Sequence, residues 1–285
     1  MFAIIGIVIV VASVLGGFTI AGGKIPSLFH ISEIITILGT ALGTILISTP
    51  FPVLKLMIGK IVGVLKGSGM NAAGYLDTLK MLYELFQLAR KDGLVAIEAH
   101  IEAPEKSSIF KKYPAVTHHH HAMQFFCDNL RLVLVGSVPP HDLDSLMDAE
   151  IEVHHQNEGA AASALQSVAD ALPGIGIVAA VLGIIVTMGA ISGPVEEIGE
   201  HVGAALTGTM LGVLFAYGFF GPLATAIGHS NNAEGAFYQV LRAGVVAFAK
   251  GFAPIVAVEF ARRAIGADVR PTFQNMETAC KSIKP

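Results

Sequence analysis

Four stretches of the chain carry no Asp, Glu, Lys or Arg over the length of a membrane crossing. They are Met1 to Gly23, Ile34 to Leu54, Ala171 to Val195, and Val202 to Ala233, the apolar part of the last ending near Ile227. A hydrocarbon core about 30 Å thick needs about 20 apolar residues in a helix, so each stretch predicts a transmembrane helix. The first has no positive n-region and a second span follows within a short loop, which reads as a membrane helix rather than a signal peptide. A fifth apolar patch, Ala243 to Phe260, is broken by Lys250 and Pro254 and ends at Glu259. It predicts a cytoplasmic or interfacial helix.

Between the second and third spans the pattern becomes periodic. From Asp77 to Ile101 the apolar residues Leu79, Leu82, Leu85, Phe86, Leu88, Leu94, Ile97 and Ile101 fall at helical spacing, with charge on the other face. This predicts one amphipathic helix. Lys112-Tyr113-Pro114 interrupts the pattern and Met123 to Val135 resumes it. Ser137-Val138-Pro139-Pro140 predicts a turn, and Asp142 to Glu158 an acidic helix. No segment reads as a strand. The expected fold class is an all-α integral membrane protein: four transmembrane helices with a large helical cytoplasmic loop.

Charge sets the orientation. Seventeen of the 18 Lys and Arg residues lie either between Lys55 and Asp170 or after the fourth span, and Lys24 is the exception. By the positive-inside rule the long loop, the tail and the N-terminus are cytoplasmic. The expected domains are 1–54 (spans 1 and 2 with a short periplasmic loop), 55–170 (cytoplasmic helical domain), 171–228 (spans 3 and 4) and 229–285 (cytoplasmic helical tail).

Composition excludes several classes. Of the 285 residues 53% are hydrophobic and 14% charged, with mean hydropathy +0.65, against about 25% charged in soluble domains. A soluble or a disordered chain of this size is excluded. The net charge of −4 leaves no basic surplus for nucleic acid. Cys127 and Cys280 are too few for a disulfide framework. There is no phosphate loop, nucleophile elbow or Cys-x-x-Cys, so neither an enzyme nor a cofactor is expected.

The spans predicted this way hold no ionisable carboxylate, lysine or arginine, although an ion crossing a bilayer needs a counter-charge or a relay. A partner helix is therefore expected to supply the titratable group. The glycine pairs Gly39/Gly43, Gly189/Gly193, Gly199/Gly203 and Gly208/Gly212, each four apart, favour a packed bundle or oligomer. The polar residues in the spans are Thr40, Thr44, Ser48, Thr187, Ser192, Thr207, Thr209, Tyr217 and Thr225. The ordinary reading of their hydroxyls is a bond to their own helix. Pro173 fits either a helix start or a hinge, and Pro222, inside the apolar part of its span, predicts a kink. On the loop, Arg90 and Glu98 stand eight apart and, on one helix, do not meet. The run His118-His119-His120-His121 is internal; His-rich tracts can bind metal, yet consecutive residues of a helix cannot all face one ion, so a solvated segment is the favoured reading and no metal is assigned.

Several longer motifs carry a family resemblance. They are Gly16-Gly17-Phe18 with Gly22-Gly23, Met147-Asp148-Ala149-Glu150-Ile151-Glu152, and the run Leu172-Pro173-Gly174-Ile175-Gly176 through Gly183. Further ones are Gly208-Thr209-Met210-Leu211-Gly212 through Gly218, Gly221-Pro222-Leu223-Ala224, and Pro254 through Arg263 followed by Val269-Arg270-Pro271. Together they resemble motility protein A (MotA), the ion-channel stator subunit family of the bacterial flagellar motor, over essentially the whole chain.

The resemblance implies a homopentamer around a dimer of a MotB-like partner, whose single membrane helix brings an aspartate, within the lipid of the bacterial inner membrane. It implies that Thr209 lines the ion path with Tyr217, and that Pro173 and Pro222 serve the conformational step coupled to ion passage. Ala180 sits where sodium-driven relatives look to place a threonine, so protons are the expected ion. Arg90 and Glu98 match the family's charged contacts with the rotor protein FliG, and Glu150 matches another acidic position of its motif. Two rivals stand beside this reading: an ExbB/TolQ-type energiser of outer-membrane processes, against which four spans argue, and a non-conducting membrane scaffold.

Overall fold

The computed structural model describes residues 2–67 and 70–283, and among them the chain is helical with no strand. Met1 of the first apolar stretch, positions 68–69 of the long loop and the last two residues of the tail lie outside the described residues. In chain order the helices are α1 (Phe2–Ile20), α2 (Ile31–Ser48), α3 (Phe51–Lys66), α4 (Ala72–Asp92), α5 (Glu98–Glu102), α6 (Pro114–Thr117) and α7 (His120–Val135). They continue with α8 (Pro140–Gly189), α9 (Val195–Leu214), a π-helical segment (Phe215–Phe220), α10 (Gly221–Ala249), α11 (Pro254–Ala264) and α12 (Phe273–Lys281). By length and composition four segments can cross a membrane: Phe2–Ile20, Ile25–Ser48, Pro140–Gly189 and Val195–Ala249.

Two compact units emerge, one from residues 1–68 and 157–230, the other from 69–156 and 231–285. Helices α8 and α10 contribute residues to both.

In the first unit α1 buries no residue at all. Helix α2 buries a stripe at every fourth position, Glu33, Ile37, Ala41 and Ile45, and α8 one at Ala161, Leu165, Val168, Leu172, Ile175 and Ala179, the spacings that keep one helix face turned inward. Lys60 of α3 pairs with Glu158 of α8. Large apolar residues such as Ile4, Ile9, Ile47, Ile184 and Ile185 stay exposed.

The second span differs from its expectation at both ends. Helix α2 ends at Ser48 and α3 begins at Phe51, so Phe51 to Leu54 belong to a separate helix. Thr49 is extended (φ −126°, ψ 124°) because it precedes Pro50, and proline clashes with a helical residue before it. At the other end α2 starts one turn earlier than Ile34. That turn contains Glu33, only 6% exposed. The expectation that no span holds a carboxylate is therefore corrected: defining spans by freedom from charge placed the boundary just after this residue.

The second unit has a core of large side chains, with Leu79, Leu82, Leu85, Phe86, Phe110, Phe126, Leu130 and Phe237 fully buried. Phe86 stacks on Phe248 with ring centroids 4.3 Å apart, and Phe110 meets Phe126 edge-on at 6.3 Å. Helix α4 opens on an Asn71 cap, whose Oδ1 accepts the Gly74 N–H at 2.9 Å. The expected single helix to Ile101 stops at Gly93, where φ is +90°, a value glycine adopts without steric penalty. A 3-10 turn, Leu94–Ile97, and α5 follow.

The patch Ala243 to Phe260 is not one interfacial helix. It is the end of α10 and the start of α11, with Val245, Val246, Ala247, Ala257 and Val258 in this core. The acidic segment 142–158 opens α8, and Arg242 of α10 pairs with its Asp144 at 2.7 Å and with Asp148. The histidine run is not uniformly solvated: His119 is half-buried with its ring 5.5 Å from Phe237, and burial holds its pKa below 6.5. Both thiols are buried, and burial pushes Cys127 and Cys280 up to about 12.

Candidate functional site

Helices α8 and α9 cross with backbone against backbone. A Cβ on Gly212 would lie 2.7 Å from the Gly176 Cα and from the Leu172 carbonyl oxygen. One on Gly176 would lie 3.0 Å from the Gly208 carbonyl oxygen, and one on Gly183 3.0 Å from the Ala205 Cβ. Of the four glycine pairs only Gly208/Gly212 is used here. Gly39, Gly43, Gly189, Gly199 and Gly203 face open space within this chain. Such small residues permit the close approach that holds helices together in lipid.

Of the residues expected along the ion path, Ala180 lies at this crossing and Thr209 beside it in the chain. Gly208 meets α8 at Ala179 and Ala180: a Cβ on it would lie 3.2 Å from the Ala179 Cβ and 3.4 Å from the Ala180 nitrogen. The next residue of α9 is Thr209. The hydroxyls of Thr44, Thr187, Thr207 and Thr225 each donate to the carbonyl four residues back, at 2.8 to 3.1 Å. Thr209 makes no such bond among the described residues, so its hydroxyl is open to a ligand or a neighbouring chain.

The two prolines differ in setting. Pro173 lies deep inside α8, so its helix-start reading is overturned; lacking an N–H, it leaves the Ala169 carbonyl without its usual partner. Pro222 follows the π-helical segment, in which the Gly221 N–H donates to the Ala216 carbonyl five residues back. Pro222 removes the donor that the Gly218 carbonyl would use, and a wide turn just before it is a common accommodation of a disturbed ladder. Tyr217 stands in this segment, 72% exposed in the single chain.

The charged residues of the loop lie elsewhere, in the second unit. Arg90 is exposed at the end of α4, its Nη1 3.5 Å from the Gly251 carbonyl oxygen. It borders an open groove of ≈ 620 Å³ that Leu94, Val138, Phe248 and Phe252 also line. Glu98 opens α5, exposed and without a hydrogen bond among the described residues. With Gly93 between them, the two do not share one continuous helix. Glu150 of α8 accepts from the Asn129 amide of α7 at 3.1 Å, so it joins two helices of its own unit. Among the described residues no group of three or more His, Cys, Asp or Glu could hold a metal ion.

The sequence reading missed Glu33. Its Oε2 lies 2.7 Å from where a Cβ on Gly208 would stand, at the residue of α9 that precedes Thr209. The signal was present: an acidic residue one position outside an apolar run, on the four-residue stripe that continues through Ile37, Ala41 and Ile45.

Two family models match the chain: Motility protein A N-terminal over residues 4–93, and the MotA/TolQ/ExbB proton channel family over residues 117–239. Among curated relatives, chemotaxis protein LafT of Vibrio parahaemolyticus is 37% identical over 273 residues, 96% of each chain. Motility protein A of Escherichia coli K12 is 32% identical over 100% of this chain and 96% of its own. The fold matches that of C. jejuni MotAB at a TM-score of 0.77 with 22% identity, covering 93% of this chain and 96% of the other. It matches the flagellar MotAB stator complex of Bacillus subtilis at 0.72 with 23% identity, covering 90% and 92%. With both halves matched by family models and relatives of this similarity spanning its length, the chain belongs to the motility protein A family, within the MotA/TolQ/ExbB proton channels.

Proposed function

We propose that the chain is the stator subunit of a bacterial flagellar motor, forming with a MotB-like partner a proton channel that turns the proton motive force into torque. The observation that carries this reading is family membership across both halves: the N-terminal model is named for motility protein A, while the second is shared with TolQ and ExbB.

The protein is a multi-pass protein of the inner membrane. The four crossings assemble as a homopentamer around a partner dimer, with the charged loop, tail and N-terminus on the cytoplasmic side. The glycines left open on α2 and α9, and the exposed apolar faces of α1 and α8, suit neighbouring chains and lipid.

The partner's single helix brings an aspartate to the wall formed by Ala180 and Thr209. A proton arriving there neutralises that carboxylate, which matters in low dielectric because the charged form is disfavoured. The free Thr209 hydroxyl supports a polar wall, and Ala180 in place of a hydroxyl favours protons over sodium. Pro173 and the π-helical segment before Pro222, with Tyr217, are points where the ladders of α8 and the α9–α10 helix yield as the packing shifts. Each elementary charge falling through 100 mV releases about 2.3 kcal/mol, so torque is delivered in many small steps. Arg90 and Glu98, both exposed, meet the rotor protein FliG by charge complementarity. Glu150 supports that surface through Asn129.

The test is co-expression with a single-span partner carrying a membrane aspartate, followed by proton flux in proteoliposomes. Flux is expected only with the partner, and lost when that aspartate becomes asparagine. Flux from this chain alone overturns the reading. Charge reversal at Arg90 or Glu98 is expected to abolish swimming, and a compensating rotor charge to restore it.

A further inference from the structure

Glu33 sits where an idle carboxylate is costly. It is buried, its Oε2 has no hydrogen-bond partner among the described residues, and it presses into the gap left by Gly208. Gly208 stands six residues into the charge-free part of α9 that begins at Val202, about 9 Å along the helix axis. A favourable interaction with the start of α2 would need only an exposed acid; burial against α8 and α9 is not required for it. An unpaired ionisable group at such depth is costly to keep and marks an ion or proton pathway.

We propose that Glu33 is a proton-binding station supplied by this chain, placed ahead of the partner's aspartate on the same path. The inference rests on the stator reading above. In a four-crossing arrangement the turns at 21–30 and 190–194 share the side opposite the charged loop, and Glu33 lies between that side and Thr209. A proton taken from hydronium converts the carboxylate to the acid and leaves water. Passing it on restores the carboxylate and neutralises the partner's aspartate. One titratable group acts on Glu33, His30 in the preceding turn. The neighbouring stretches 171–189 of α8 and 202–214 of α9 hold no titratable side chain, whereas the first turns of α9 carry Glu196, Glu197, Glu200 and His201.

The experiment uses the full complex with the single-span partner in proteoliposomes, in wild-type form and as Glu33→Gln and Glu33→Asp. Flux is read beside labelling by dicyclohexylcarbodiimide, which reacts with carboxylic acids in apolar surroundings and is located by mass spectrometry. The expected result is flux lowered about tenfold or more by Glu33→Gln, largely kept by Glu33→Asp, and a carbodiimide adduct on Glu33 that increases on acidification. Unchanged flux in an assembled Glu33→Gln complex overturns this inference and leaves the stator reading intact. Absence of flux in the wild-type complex overturns the stator reading instead. If Glu33→Gln does not assemble, or the wild type does not conduct, labelling of the wild type decides, and no adduct at Glu33 overturns the inference.

Discussion

The two units of this chain cohere by opposite means. The 69–156/231–285 unit hides bulk: Phe86, Phe110, Phe126 and Phe237 are all but inaccessible, with leucines filling between them. The 1–68/157–230 unit leaves many of its isoleucines and valines outside and brings backbones together through Gly176, Gly183, Gly208 and Gly212. Water rewards the first arrangement, since burying apolar area is its driving force. A bilayer gives no such reward, because lipid tails are as apolar as leucine, and close packing takes over. A glycine is thus to the first unit what a phenylalanine is to the second.

Substitutions can break that contrast. Phe126→Ala in the second unit leaves a cavity and is expected to cost about 3–5 kcal/mol, read as a lowered unfolding temperature of the full chain in detergent. Gly212→Ala would force α8 and α9 apart, since its neighbours at 2.7 Å are backbone atoms. The expected cost is about 3 kcal/mol, the upper end of overpacking, with loss of partner-dependent flux. Gly39→Ala, into open space, should leave the unfolding temperature unchanged or slightly raised by better helix propensity. Equal effects of the two glycine changes would remove the distinction between the crossing and the open faces.

Glu259→Gln acts on a smaller scale. Glu259 accepts from Arg262 at 2.6 and 2.8 Å and from Arg263 at 2.8 Å, while Arg262 also donates to the Pro271 carbonyl. Losing the charge should cost about 2 kcal/mol, with rescue by Glu259→Asp incomplete because the shorter side chain cannot span both arginines.

The smallest effects are those of pH. Arg262, then Arg263, hold the Glu259 carboxyl below its usual 4.5. The stability it contributes is complete above pH 4.5 and is lost as pH falls through the lower folded value. Burial holds His119 below 6.5, so the unfolded chain takes its proton first and stability declines as pH drops from about 6.5. The unfolding temperature should fall between pH 7.5 and 5.5, and less steeply in His119→Gln. An identical slope in that variant would remove His119 as a source.

Helical type and the long apolar stretches were legible because periodicity and composition report burial directly. Local backbone events were not. The Leu94, Ile97, Ile101 spacing continues the amphipathic pattern of α4 across Gly93, so the break showed only in the glycine itself. Within Ile34 to Leu54 no polarity change marks the end of α2; Pro50 does. Phe215 to Phe220 is as apolar as any span, and only the following Pro222 hinted at a widened turn. Glu33 was lost for a different reason. A span bounded by the absence of charge excludes the one residue whose charge is of interest, and tertiary packing against Gly208, invisible in sequence, is what buries it. Arg90 and Glu98 are exposed, as charged residues ordinarily are, whereas the bond from Asn129 to Glu150 depends on α7 meeting α8.

The buried thiols give the molecule a useful silence. With Cys127 and Cys280 pushed up to about 12, native sulfurs are almost wholly unreactive at pH 8. A cysteine introduced at an exposed turn position such as Ser192, near an ordinary pKa of about 8.5, would present roughly a thousandfold more thiolate. Fluorophores or spin labels can therefore be attached at chosen points without first stripping the chain of its own cysteines. Subunit motion against the partner could then be timed, one site at a time, in a chain that keeps its own cysteines.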